Sequence, residues 1–314
     1  LDVFYNKTTT TSVETLLNYL LKKEFDAYIE TEFSNLIKSE SQNESDYSSF
    51  KTFDKLDNSF DLLVSIGGDG TILRAITYVK NLDIPIIGIN TGRLGFLATI
   101  QVNQIENAMQ NIIDGNYKIS ERTLLSVETS PENDDILSMN FALNEIAVSR
   151  KNTTSMITVE TYLDGELLTS YWSDGLIVST PTGSTGYSLS CGGPVITPGA
   201  NSFALTPIAP HNLSARPLII PDSTEIQLKV NGREEQHLVS LDSRIATLDN
   251  GTLITIKKAD FRIKMIDLPS ESFLVTLRKK LLWGAKINVI NNSLFERYHK
   301  GRAFRYIFYC AQYT

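Results

Sequence analysis

The run Leu62-Leu-Val-Ser-Ile66, followed by Gly67-Gly-Asp-Gly70 and then Thr71-Ile-Leu-Arg-Ala-Ile-Thr-Tyr78, narrows the choice of fold more than any other segment. A short apolar run of this kind fills a buried parallel strand. Glycines follow it at once, and Thr71 reads as a helix start. Strand, glycine turn and helix aim backbone N–H groups and the positive end of the helix at one point, which is how proteins bind phosphate. The carboxylate of Asp69 is out of place in a plain anion cradle and points instead to a proton acceptor or a cation ligand. A tight strand-to-helix turn by itself also uses such residues. No Gly-Lys-Ser/Thr follows, as a Walker loop requires, and the Gly-x-Gly-x-x-Gly spacing of a dinucleotide fingerprint is absent.

A second segment adds to this. Ser173-Asp-Gly leads into an apolar strand at Leu176–Val178, and small hydroxyl-bearing residues then run from Ser179 to Ser190. Small residues let a ligand approach the backbone, and Ser184, Thr185 and Ser188 offer donors to phosphate or sugar without adding charge. A polar surface loop would have the same composition. A serine-hydrolase elbow is set aside, because no Gly-x-Ser-x-Gly occurs and His211, His237 and His299 have no triad context.

Together these segments resemble the NAD kinase family. The matching pieces are Gly67-Gly-Asp-Gly-Thr71 with Arg74, Gly92-Arg-Leu-Gly-Phe96, Asn144-Glu145, the block from Asp174 to Pro194, and Ala209-Pro-His-Asn-Leu-Ser-Ala-Arg-Pro217. Gly-Gly-Asp-Gly-Thr is shared with phosphofructokinases and with diacylglycerol and sphingosine kinases. Asn-Glu combined with Thr182-Gly-Ser-Thr-Gly-Tyr-Ser188 is more specific, and the resemblance covers roughly residues 1 to 285. It implies transfer of a phosphoryl group from ATP, or from polyphosphate, to the 2′-hydroxyl of the adenosine ribose of NAD.

A sugar hydroxyl is a poor nucleophile and needs a positioned base, for which Asp69 is the candidate. Gly70 would add a backbone contact, and Arg74, one helical turn on, would reach phosphate oxygens unless it is a plain surface charge. By resemblance, Asn144 and Glu145 bind the ribose hydroxyls and adenine. Asp174 accepts from a ribose or amide, its alternative being an Asp-Gly turn with Gly175. Thr185, Gly186, Tyr187, Ser188, Leu189 and Ser190 line the pocket, with Tyr187 stacking or closing over a base. Ala209 offers its backbone, and Phe96 forms an apolar wall. With no Walker lysine and no His/Cys/Asp cluster for a metal, the expected cofactor is a divalent cation, Mg²⁺, carried by the nucleotide. Two other readings stay open: a lipid or sugar kinase of the same superfamily, and a non-catalytic nucleotide-binding protein.

The pattern along the chain predicts an α/β Rossmann-like domain over 1–120, an all-β domain over 121–268, a helix returning to the first domain over 269–285, and an atypical tail over 286–314, with the active site in the interdomain cleft. Asp2–Tyr5 reads as the first strand. Val13, Leu16, Leu17, Leu20 and Leu21 lie on one helical face. Residues 39–51 read as a polar loop, and Ile84–Ile89 as a further strand. Met156–Leu163 and Leu167–Trp172 form a hairpin around Asp164-Gly165. Strands are expected at Glu225–Val230, Leu238–Leu241, Leu253–Lys257 and Phe261–Ile266, the last two separated by turn residues, and a helix at Glu271–Leu282.

Net charge is −7 over 314 residues, so the surface as a whole repels nucleic acid and anionic membranes. An anionic substrate must then be met by local dipoles, a few basic side chains and a cation. Cys191 and Cys310 give neither a disulfide framework nor zinc spacing, which suits a reducing cytoplasm. No apolar run reaches membrane-spanning length. A homodimer or tetramer is expected by resemblance. The tail carries five basic residues against Glu296 alone and seven Phe or Tyr residues. A structured extension or a spurious read-through accounts for that composition better than a basic aromatic arm for RNA or a membrane surface.

Overall fold

The structure is a computed structural model that describes residues 7–40, 50–152 and 155–283. The expected first strand, most of the expected loop at 39–51 and the tail lie outside the described residues. In chain order the elements are α1 (Lys7–Lys22), β1 (Tyr28–Glu30), α2 (Thr31–Glu40), β2 (Lys51–Phe53), β3 (Leu63–Gly67), α3 (Asp69–Val79), β4 (Ile86–Asn90), β5 (Ile100–Gln101), α4 (Ile105–Ile113) and β6 (Lys118–Ser130). There follow α5 (Asp134–Leu137), β7 (Phe141–Ala142), β8 (Glu145–Arg150), β9 (Ile157–Leu163), β10 (Glu166–Ser173), β11 (Gly175–Ser179), α6 (Tyr187–Ser190), β12 (Ser202–Ile208) and β13 (Leu218–Pro221). The chain continues through β14 (Ile226–Gly232), β15 (Gln236–Leu241), β16 (Arg244–Asp249), β17 (Leu253–Asp267) and α7 (Phe273–Leu281).

In the N-terminal part β3 and β4 pair in parallel, and β5 adds to β4 in parallel. All five residues of β4 are buried, as a strand covered on both faces must be. Its side chains divide by parity. Ile86 joins Ile72, Ile76 and Val79 of α3 in one cluster, while Ile87 and Ile89 join Leu16 of α1 and Ile105, Ala108 and Met109 of α4 in another. Helices on both faces of a parallel sheet make this part Rossmann-like.

The C-terminal part is a β-sandwich. One sheet runs β13-β12-β11-β8-β15-β16, and the facing sheet contributes β10-β9-β14-β17 with β6. Val127, Val159, Leu228, Ile254 and Ile256 of the facing sheet meet Ile146, Val148, Leu176, Val178, Phe203 and Val239 of the six-stranded one in a single buried core.

The two expected strands at Leu253–Lys257 and Phe261–Ile266 are one continuous strand, β17. Ala259-Asp260 is not a turn between them: the register against β6 shifts between Lys258 and Arg262, which marks a β-bulge. The first half of β17 pairs with β14, and Met265 near its end pairs in parallel with Ile86 of β4. One nine-stranded sheet therefore passes from the sandwich into the Rossmann-like part. The helix α7 meets the first part through Phe273, whose ring lies 6.3 Å from that of Phe96, and through Lys280, whose ammonium sits 5.0 Å above the Phe96 ring.

Candidate active site

α3 begins at Asp69, two residues before the expected start at Thr71. Gly68 is its N-cap in extended geometry, so Asp69 and Gly70 stand in the first turn, where backbone N–H groups have no helical partner. Gly67 has φ +155°, and a Cβ there would come within 2.1 Å of the Thr71 hydroxyl oxygen. By contrast, a Cβ at Gly68 or Gly70 would meet nothing within 4 Å. The fold requires Gly67; the bareness of Gly68 and Gly70 leaves backbone open to something outside the chain.

The Asp69 carboxylate is not free. Its Oδ2 accepts the Phe96 N–H at 2.8 Å, and its Oδ1 accepts those of Leu97 and Ala98 at 3.0 and 2.9 Å. A carboxylate has about four acceptor positions, so one remains, on Oδ2. Gly95 makes this approach possible, since a Cβ there would stand 1.8 Å from Asp69 Oδ1. Asn90, at the end of β4, holds the other side of the loop. Its amide donates to the carbonyls of Arg93 and Ala98 at 2.9 and 3.0 Å, and its oxygen accepts the Gly92 N–H at 2.8 Å.

The Asn144-Glu145 pair follows Leu143, which belongs to the same buried cluster as Leu97 and Ala98 of this loop. The pair is gripped from two sides. Thr180 donates its hydroxyl to the Leu143 carbonyl at 2.6 Å and its N–H to the Asn144 carbonyl at 2.9 Å. The Asp242 carboxylate accepts the amides of Leu143, Asn144 and Glu145 at 3.0, 2.8 and 3.2 Å. The Asn144 carbonyl would be 2.0 Å from a Cβ on Gly183, so that glycine permits the turn after β11 to lie against it.

What this leaves unpaired is informative. Glu145 is 8% exposed, and its Oε2 has no hydrogen-bond partner. Burial, together with the nearby charge of Asp242, pushes its carboxyl up to about 8, against a weaker opposing pull from the Tyr187 N–H. Oε2 of Glu145 and the side-chain nitrogen of Asn144 converge on Gly186, 3.1 and 3.9 Å from where a Cβ would stand.

Glu145 pairs with Ser179 at one end of β11, while Gly175 at the other end pairs with Ile208. Asp174 precedes that far end, donating its N–H to the Ile208 carbonyl at 3.0 Å and pairing with Arg150 at 3.0 Å. The Asp174-Gly175 step is therefore no turn: it carries the chain from β10 in one sheet to β11 in the other. Ala209 follows Ile208, exposed and at φ +43°, a left-handed conformation that costs a non-glycine residue energy. Tyr187 begins α6, which contacts β11, and its phenol is pushed up by burial, then by the charges of Cys191, Asp174 and Glu145. Four residue steps along a strand span ~13 Å.

Other expected residues are placed differently. The Ser184 hydroxyl is fully buried and donates to the Pro181 carbonyl at 2.7 Å, Ser188 shares a 2.8 Å bond with Thr206, and Thr185 donates to the Thr182 carbonyl at 3.2 Å. These hydroxyls shape the turn from inside. Of the expected lining residues, Tyr187 and Ser190 are exposed, and Thr185, Gly186 and Leu189 are partly so. Arg74 donates to Glu32 at 2.7 Å, and both line a cavity of about 170 Å³ together with Phe33, Phe53, Ser65, Thr71 and Tyr78. The His211 ring packs against that of Trp172 at a tilt of 58°, with centroids 5.1 Å apart. Sequence reasoning missed Asn90, Thr180 and Asp242. Of these only Asn90 carried a local signal, as a polar residue between a buried strand and Thr91-Gly92.

Among the described residues no three His, Cys, Asp or Glu side chains gather to hold a metal ion, and no helix is long and apolar enough to cross a membrane.

Comparison with known proteins agrees with this architecture. Residues 4–117 match the ATP-NAD kinase N-terminal domain and residues 143–268 the ATP-NAD kinase C-terminal domain. The chain is 59% identical over 281 residues to an NAD kinase of Christiangramia forsetii, covering 90% of this chain and 96% of that protein. It is 56% identical to an NAD kinase of Flavobacterium psychrophilum over the same shares. Among solved structures, yeast NADH kinase complexed with NADH superposes with a TM-score of 0.77 at 26% identity, over 92% of this chain and 87% of that one. An NAD kinase from Archaeoglobus fulgidus in complex with ATP gives 0.63 at 32% identity, over 74% and 88%. With both domain models matched in order and relatives this similar over nearly their whole length, the chain belongs to the NAD kinase family.

Proposed function

We propose that Asp69 accepts the proton of the ribose 2′-hydroxyl of NAD while that oxygen attacks the γ-phosphorus of ATP. Phosphorylation of NAD with ATP follows from family membership; the residue roles are inferred from the site. The bond formed joins the ribose oxygen to phosphorus, and the bond broken is the one from the γ-phosphorus to the bridging oxygen, which leaves with ADP. NADP is the other product. Asp69 supports this reading because, after holding Phe96, Leu97 and Ala98, Oδ2 keeps one acceptor position. The open backbone at Gly68 and Gly70 and the start of α3 suit the phosphates.

Asn144 and Glu145 would hold the adenosine end of NAD through the Asn144 side-chain amide and the unpaired Glu145 Oε2, which converge on Gly186. Asp174 and the backbone at Ala209 would hold the far end, with Tyr187 covering the middle and Gly186, Leu189 and Ser190 completing the lining. Thr185 and Ser188 would act by shaping that wall. Arg74 would have to leave Glu32 to meet a phosphate. A divalent cation, Mg²⁺ in this reading, would arrive on the phosphates of ATP as part of the substrate. We also propose a cytoplasmic homo-oligomer, on the strength of the family resemblance; sedimentation of a monomer at micromolar concentration would overturn the assembly.

The observation that carries the reading is the pairing of a partly free Asp69 carboxylate with an unsatisfied Asn144-Glu145 wall. It is tested by incubating the protein with NAD, ATP and Mg²⁺ and reading NADP with an NADP-specific dehydrogenase, beside Asp69→Asn. NADP from the wild type and its loss in the variant are expected; equal turnover in both removes Asp69 from the chemistry.

A further inference from the structure

We propose that Asp242 is a positioning residue of the nucleotide site, holding Asn144 and Glu145 at the depth where their unpaired polar atoms meet a bound nucleotide; this rests on the reading of the site given above. Asp242 sits in the two-residue turn joining β15 to β16, at φ +53°, with its side chain only 2% exposed. A hairpin turn needs no buried charge, and Asn-Gly would serve it better. A buried carboxylate is costly unless hydrogen-bonded. This one is bonded to a single segment: Oδ1 takes the amides of Asn144 and Glu145, Oδ2 takes that of Leu143, and the Asp242 N–H donates to the Glu145 carbonyl at 3.0 Å. Its location is explained by what it holds.

The same hairpin grips the chain just before. Arg244 donates to the carbonyls of Met139 and Phe141, lies over the Phe141 ring at 5.3 Å, and stands 3.8 Å from Asp242. The β15–β16 hairpin and the Thr180 turn thus hold Leu143–Glu145 from two sides, and Glu145 Oε2 and the Asn144 side-chain amide are left turned toward Gly186.

A purely structural clamp would do nothing more, but Asp242 also sets the charge of the wall. The groups facing Glu145 are Asp242 from the hairpin, with Arg244 behind it, and Tyr187 and Cys191 from α6 and its end; Asp174 lies across Tyr187. Asp242 is the acidic neighbour that opposes ionisation of Glu145, after burial. Burial raises the Asp242 carboxyl too, against the pull of the three amides and Arg244; a neutral group in its place is expected to lower the pH at which Glu145 ionises.

The test is Asp242→Asn, since asparagine tolerates positive φ and keeps the shape. The variant keeps the oxygen that serves Asn144 and Glu145, but sets an NH₂ against the Leu143 N–H. NAD binding is measured by calorimetry from about pH 6 to 9, at a temperature where circular dichroism shows the variant folded. Glu145→Gln identifies which inflection belongs to Glu145. Asp242→Asn is expected to weaken NAD binding by about tenfold and to move that inflection to lower pH. Affinity within about twofold of wild type with an unmoved inflection overturns the proposal, even if melting temperature falls. Should the variant not fold, hydrogen exchange on the wild type decides: the amides of Leu143–Glu145 should be protected, and more so with NAD bound, whereas exchange at open-loop rates overturns it. Wild type that binds no NAD overturns the site reading and this inference with it. Wild type that binds normally beside an indistinguishable Asp242→Asn overturns this inference alone.

Discussion

Asp69 and Asp242 hold their neighbours in the same way. Each carboxylate accepts three consecutive backbone amides, Phe96–Ala98 in one case and Leu143–Glu145 in the other. Leu97 and Ala98 from one clamped segment and Leu143 from the other belong to one buried cluster. Two carboxylates from different parts of the chain thereby order the two segments. One retains an open acceptor position; the other is enclosed.

Asp69→Asn should act on both structure and turnover. An asparagine presents NH₂ where one carboxylate oxygen accepted an amide, and an unsatisfied buried donor costs about 1–3 kcal/mol. A melting temperature lower by a few degrees is expected, together with a loss of about 10²- to 10⁴-fold in turnover. Turnover should fall far more than stability explains, and thermal denaturation beside single-turnover kinetics measures the two separately.

The two kinds of glycine in the phosphate region should respond oppositely. Gly70→Ala places a methyl in open space within the first turn of α3, which should raise stability by about 0.5–1 kcal/mol while raising KM for ATP. Gly95→Ala drives a Cβ into Asp69 Oδ1 and should destabilise by about 1–3 kcal/mol with turnover as low as in Asp69→Asn. Urea unfolding and steady-state kinetics on the two variants decide it.

Glu145 gives a pH signature. Its carboxyl ionises near 4.5 in the unfolded chain and at about 8 in the fold. Below 4.5 both states hold the proton. Between these values only the folded state does, so stability contributed by this group falls as pH rises and levels off above 8. Glu145→Gln should flatten that decline, giving a variant relatively more stable at about pH 9 than at about pH 5 when compared with wild type. Urea midpoints at the two pH values are the measurement.

Arg74 tests whether the phosphate side rearranges on binding. Its ion pair with Glu32 is solvent-exposed, so Arg74→Ala should cost no more than about 1 kcal/mol of stability. If Arg74 moves onto phosphate, KM for ATP should rise about tenfold while KM for NAD holds. An unchanged KM for ATP would leave Arg74 as a tie between α3 and α2.

The strand, glycine turn and helix around Asp69 were legible because each is encoded within a dozen residues. The hairpin at Asp164-Gly165 was legible for the same reason. β17 was misread because Ala259-Asp260 resembles a turn locally, and only pairing with β6 along both halves makes it a bulge in one strand. The hydroxyls of Ser184 and Ser188 were expected to face a ligand. Their composition was read correctly, but their direction is set by Pro181, Ile196 and Thr206, which the local pattern does not place.

The sequence by itself determined that a glycine-flanked carboxylate follows a buried strand, that a β-rich half follows an α/β half, and that Asn144-Glu145 and Thr182–Ser188 carry the pattern of the NAD kinase family. Hydrophobic periodicity and turn chemistry act over short spans, so they can be read in order along the chain. Tertiary structure decided which acceptors remain open, how the two halves share a sheet, and which residues hold the walls. Those outcomes depend on amides and carboxylates brought together from distant positions, as Asp69 meets Phe96–Ala98 and Asp242 meets Leu143–Glu145. Hydrogen bonds between distant segments leave no period in a sequence; they exist only once packing has excluded water and each buried polar group has had to find a partner.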